Sequence, residues 1–213
     1  MAAPYRLEPR PGRISPRLIL RLQRYRDLSQ VPPPIVEVAE AMARLAERLV
    51  EPRALVLPVP IAAVEAEEVR LADGPTFHSR ALASMLRSSE QAVLFLLTLG
   101  PRLEAEVSAR SEAKELLEAV LLDTAGWVAI EGGVRALRAH LRECWRAAGR
   151  GVTHRLAPGY LDWPLAEQAL LFRRFGGAND LVRLTGSGVM VPLKSISGLY
   201  GVFPLGDCPR PGR

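Results

Sequence analysis

At 213 residues the chain is the length of one ordinary domain, and a composition of 48% hydrophobic and 24% charged residues is enough for a sizeable core. No apolar run approaches the roughly 18 residues that span a bilayer, and Met1 to Pro16 lacks the features of a secretory signal, so a cytoplasmic protein is expected. The net charge of +5, carried almost wholly by arginine, is interspersed with acids as in Arg102-Leu103-Glu104-Ala105-Glu106, which reads as a solvated surface and not a nucleic-acid face.

Residues 1–13 and 204–213 are rich in Pro, Arg and Gly and are expected to be poorly ordered tails. Leu18 to Arg26 is a short amphipathic segment, stopped by Val31-Pro32-Pro33-Pro34. A helix follows over Ile35 to Leu49, where Val38, Met42, Leu45 and Leu49 recur at three- and four-residue steps on one face. The rhythm then changes. Ala54 to Pro60 and Val64 to Leu71 read as strands, the second ending at the turn signal Asp73-Gly74-Pro75. Ser79 to Arg87 reads as a short helix. Ala92 to Leu99 is continuously apolar, as expected of a strand covered on both faces. Gly100-Pro101 then opens a helix that turns Leu103 and Val107 inward.

Lys114 to Ala148 is a long helical pattern with Leu117, Leu121, Val128, Val134, Leu137 and Leu141 as candidate core positions. Gly126, Gly132 and Gly133 interrupt it. Each glycine costs about 1 kcal/mol in a helix interior, so the three point to close approach by another backbone or a ligand, or to a kink. Leu165 to Phe175 reads as a further helix, and Leu181 to Thr185 and Leu199 to Phe203 as strands. The mixture predicts a single α+β domain over residues 14–203.

Two segments carry chemistry. In Arg155-Leu156-Ala157-Pro158-Gly159-Tyr160, followed by Leu161-Asp162-Trp163-Pro164, a guanidinium can grip a carboxylate through two parallel hydrogen bonds. Gly159 lets a ligand approach the backbone, and Tyr160 offers a flat apolar face with a hydroxyl. By composition alone a structural loop is the better reading. The second segment, Leu184 to Gly198, has glycines, hydroxyls and Lys194, but its spacing is neither a P-loop nor a dinucleotide fingerprint. Cys144 and Cys208 lack the paired spacing of a metal site. His78, His140 and His154 fall in no catalytic or metal-ligand spacing.

The string Arg-x-x-Pro-Gly-Tyr-x-x-Trp-Pro, a helix of about a dozen residues, then Leu-Thr-x-Ser-x-x-Met-x-Pro-x-x-Ser-Ile-Ser-Gly resembles the signature of the activation domain of cobalamin-dependent methionine synthase. The short, separately encoded versions are the nearest in pattern. Upstream, Val93-Leu94-Phe95 through Gly100-Pro101 and Leu122-Asp123-Thr124-Ala125-Gly126 extend the resemblance from about Arg17 to Phe203. It implies an α+β fold, with a mostly antiparallel twisted sheet packed against long helices.

The resemblance further implies that S-adenosylmethionine is bound, with Arg155 on its carboxylate, backbone groups around Ala157 and Gly159 at the adenine, and Tyr160 beside the nucleoside. Glu131 matches an acidic residue near the ligand's charged end; its alternative is a partly exposed surface acid. No catalytic residue and no metal site are implied. The activity implied is accessory: reductive remethylation of cobalamin held by a separate methionine synthase core, with an electron donor such as flavodoxin or ferredoxin. Service to another corrinoid methyltransferase, or a ligand-free docking scaffold, are the alternatives. Neither nucleic acid nor membrane is expected as a partner. The sequence departs from the family at Gly186, where an acid is usual, in a shortened C-terminal hairpin, and at the N-terminal acid, for which Asp27 is the nearest position.

Overall fold

The computed structural model describes residues 3–72 and 74–207. Its elements are β1 (Tyr5–Leu7), α1 (Pro16–Leu22), α2 (Pro33–Leu49), β2 (Arg53–Val64), β3 (Glu68–Leu71), β4 (Thr76–His78), α3 (Arg80–Leu86) and β5 (Gln91–Thr98). There follow α4 (Arg102–Glu112), α5 (Leu116–Arg146), β6 (Arg150–Val152), α6 (Gln168–Arg173), β7 (Arg183–Leu184), β8 (Met190–Val191) and β9 (Ser195–Pro204). The main sheet runs β4-β3-β2-β5-β9-β6, with β1 added to β2, and every neighbouring pair is antiparallel. The fold is the expected α+β one.

β5 organises it. Successive side chains on a strand point to opposite faces. Val93, Phe95 and Leu97 therefore enter one core with α1, α2, α4 and α5, while Ala92, Leu94 and Leu96 enter a second with α3, α6 and Trp163. Each large apolar side chain so buried contributes about 1.5–3 kcal/mol. The continuous apolar run follows from that double cover. Pro58 and Pro60 sit in β2 between the stretch paired with β1 and the stretch paired with β3, where a missing N–H does least harm.

The helix signals hold for α2, α3 and α5, while the helix expected over Leu165 to Phe175 is a 3-10 turn followed by the six-residue α6. Ser79 caps α3, its Oγ accepting from the Leu82 N–H at 3.0 Å. Met42 is buried in α2, with Val38, Leu45 and Leu49 partly buried beside it. α5 runs unbroken through its three glycines, so close approach is the reason for them. A Cβ on Gly132 would lie 2.8 Å from Pro11, and one on Gly133 would lie 3.4 Å from the Pro9 carbonyl oxygen.

Those contacts correct the expectation of a disordered segment over 1–13. Within its described part Tyr5–Leu7 pairs with Ala54–Val56, and Pro9 to Pro11 cross α5. Low local propensity is overridden by an open strand edge and a glycine notch. At the other end Leu205–Asp207 forms a 3-10 turn, and the expected tail beyond it lies outside the described residues. Leu117 is a second correction: it is 40% exposed. The first turns of α5 carry Leu116, Leu117, Val120 and Leu121, apolar nearly all round, so periodicity could not choose the inward face. The strand expected over Val64 to Leu71 splits at a turn, so β3 begins only at Glu68. Among the described residues no helix is long and apolar enough to cross a membrane.

Candidate ligand-binding site

The loop from Arg155 to Pro164 is pinned to the sheet at β9. Leu156 and Leu199 of β9 exchange both backbone hydrogen bonds, at 3.1 and 2.9 Å. The approach is close enough that a Cβ on Gly198 would lie 2.7 Å from the Leu156 carbonyl oxygen. Gly159 then turns the chain at φ +88°, a conformation that L side chains rarely adopt, and its N–H donates to the Trp163 carbonyl at 2.8 Å. Trp163 is buried edge-on against Phe77, with ring centroids 5.2 Å apart. Asp162 reaches across to the start of α3, accepting from Ser79 Oγ at 2.6 Å and the Arg80 N–H at 2.8 Å. Those hydrogen bonds, led by that from Ser79, hold its carboxyl below the ordinary carboxylate value.

A cavity of about 380 Å³ opens beside this loop. Its walls come from α5, from Ala157, Pro158 and Tyr160, and from the chain between Gly188 and Ser197, which includes β8. Of the five residues expected at a ligand, Glu131, Ala157 and Tyr160 line the cavity. Arg155 stands just behind the lining, in contact with two residues that form it. Its Nη2 is 3.4 Å from Glu131 Oε1, and its guanidinium carbon is 5.6 Å from the centre of the Tyr160 ring, within reach of a cation–π interaction. Gly159 shapes the loop without forming the wall.

The electrostatics are uneven. Arg155 Nη1 is buried and has no hydrogen-bond partner among the described residues. A buried charge with a free donor is costly to leave that way. The Tyr200 hydroxyl on β9 is likewise buried and unpartnered. Burial pushes its pKa up to about 12, against the opposing pull of Arg155 and Arg138, so it stays a neutral phenol. Opposite, Lys194 Nζ pairs with Asp123 Oδ1 at 2.7 Å, and its chain crosses α5 where Gly126 leaves room.

The sequence reading missed Trp127 and Gln168 in the wall. Trp127 lies one helical turn before Glu131 and is 55% exposed. A tryptophan four residues from a proposed ligand residue on a helical pattern was a usable signal. For Gln168 there was none, because its importance lies in what surrounds it. Gly186 sits in the open turn between β7 and β8, with nothing within 4 Å of the position a Cβ would take. Asp27 does not line the cavity; it caps the adjacent 3-10 turn, accepting from the Ser29 N–H at 2.9 Å. Two larger hollows, of about 660 and 960 Å³, lie at the N-terminal strap and at the end of α5, away from this loop.

Fold and site together define an α+β domain with a sheet-anchored loop, a half-buried ion pair and exposed aromatics around one cavity. No protein-family model matches the chain, and no curated protein does. Among solved structures, a crystal structure of the MetH reactivation domain bound to AdoHcy is similar to it, with a TM-score of 0.60 and 17% sequence identity. The alignment covers 99% of this chain and 81% of that one. At that identity the likeness establishes the fold.

Proposed function

We propose that this chain binds S-adenosylmethionine in the cavity beside loop 155–164, and thereby supports reductive remethylation of a cobalamin carried by a separate methionine synthase. One observation carries the reading. Arg155 keeps a buried, unpartnered Nη1, and the two residues in contact with its guanidinium, Glu131 and Tyr160, both line the cavity.

The residues fit the ligand's charges. A ligand carboxylate satisfies the free nitrogen of Arg155 from the cavity edge between Glu131 and Tyr160. Glu131 faces a sulfonium or ammonium group on the same side. Tyr160 and Trp127, both about half exposed, offer flat faces to a base or ribose. Gly159 holds the loop in a form that keeps the backbone near Ala157 close to the nucleoside. The volume is within the range of small-molecule sites. The bound sulfonium supplies the methyl group; the protein supplies its placement. The acceptor cobalt and the electron belong to other chains, and for the electron a flavodoxin or ferredoxin is the expected class.

Calorimetry with S-adenosylmethionine tests the binding step. Wild type should bind, and Arg155→Ala should lose about 1.5–3 kcal/mol, the range for a hydrogen bond to a charged group. Absence of binding heat leaves only a docking scaffold. The second step is tested by adding the protein to a methionine synthase core stripped of its own activation domain. If reductive remethylation is not restored there but is restored with another corrinoid methyltransferase, the partner is wrong and the chemistry stands.

A further inference from the structure

Gln168 is the first residue of α6 and forms part of the cavity wall, yet it is only 4% exposed. One end of its amide is tethered, with Nε2 donating to Ser197 Oγ at 3.2 Å. Ser197 is itself buried, on β9 opposite Leu96, so the tether is anchored to the sheet. The other end is not satisfied. Oε1 is buried and accepts no hydrogen bond among the described residues. Buried amides are almost always paired at both ends, because leaving a carbonyl desolvated and unpaired costs free energy that a neighbouring donor would recover. Gln168 and its tether Ser197 both line the cavity, so the unpaired carbonyl belongs to the cavity wall.

We propose that Gln168 is a specificity-determining residue, whose side-chain carbonyl accepts a hydrogen bond from an amino group of the bound ligand. The inference rests on the S-adenosyl reading for the identity of that group: the exocyclic amino group of the purine. The assignment is one of chemistry and position. Ser197 takes the donor end of the amide, which leaves its acceptor for a ligand, and an acceptor selects an amino-purine over an oxo-purine, which would set two oxygens face to face. Such a site discriminates more sharply than an apolar wall, since the wrong ligand leaves the buried carbonyl unpaired.

The test uses the full chain and two probes, S-adenosylhomocysteine and S-inosylhomocysteine, in which the amino group is replaced by a carbonyl. Wild type should bind the amino compound about ten-fold more tightly. Gln168→Met, similar in length but without the amide, should bind the two alike, while Gln168→Glu, which keeps an acceptor, should retain the preference. Melting temperatures of both variants identify any loss caused by unfolding, and the wild-type comparison stands without them. Equal wild-type binding of the two probes, or a preference that survives in a folded Gln168→Met, overturns this proposal alone. A preference lost in a folded Gln168→Glu overturns the carbonyl as the reading atom. Binding of neither probe overturns the S-adenosyl reading and this proposal with it.

Discussion

Carboxylates from the loop between the two motifs hold the β4–α3 junction, and His78 reports on how. Its Nδ1 is 2.7 Å from Glu167 Oε1 and its Nε2 3.6 Å from Glu68. Glu167 also accepts from the His78 N–H at 3.0 Å and from Trp163 Nε1 at 2.9 Å, which ties the imidazole to the buried anchor of loop 155–164. The hydrogen bond to Glu167, with the charges of Glu167 and Glu68, raises the His78 pKa above 6.5. A raised pKa means the folded state binds the proton more tightly than the unfolded chain. The stabilisation is complete below the unfolded value and lost as pH rises through the folded one. An NMR titration should find His78 above 6.5, and Glu167→Gln should lower it. An unperturbed wild-type value would refute the clamp. The exposed position means a small stability effect; the shift itself is the readout.

At the scale of elements, β9 matters more to the site than its length suggests. Its glycine at position 198 lets loop 155–164 come within bonding distance of the sheet. Gly198→Ala should therefore destabilise the protein by about 1–3 kcal/mol, the range for overpacking, and weaken S-adenosylmethionine binding, since Leu156 must move and Arg155 with it. Gly126 in α5 gives the contrast. There a Cβ meets only the side-chain ends of Leu103 and Lys194, at 2.8 and 2.9 Å. Those ends can give, and alanine recovers about 1 kcal/mol of helix propensity. Chemical denaturation of the two variants should separate them clearly. Similar losses at both positions would mean that the loop, not the glycine, absorbs the strain.

The whole molecule is held together by one strand shared between two cores. Leu96 and Leu97 are neighbours in β5, but Leu96 belongs to the core under α3 and α6, and Leu97 to the core under α2 and α5. Truncating either to alanine should cost about 2–5 kcal/mol. Because the strand is common, each should lower a single unfolding transition. Calorimetry showing two transitions, with each variant shifting only one, would mean that the layers fold independently. The outline at this scale was legible. The apolar run of β5 and the 3.6-residue period of α2 are local signals, and the α+β class follows from the order of such segments.

The turn at Gly159 was legible for the same reason, but loop 155–164 stood out as a candidate site only because Arg155, Pro158 and Tyr160 fall in a string that resembles a known signature. Elsewhere local chemistry ran out. Nothing in residues 3–13 announced a strand and a strap, because the partners that order them, the free edge of β2 and the notch at Gly132 and Gly133, lie far along the chain. Nothing in Gln168 distinguished it from any helical glutamine until Ser197 took one end of its amide and burial removed water from the other. The sequence by itself determined the long helices and the central strands, since those preferences are set by neighbours along the backbone. Only the tertiary structure decided which polar atoms are left without partners in the cavity, because burial and pairing depend on distances that the chain sets only when folded.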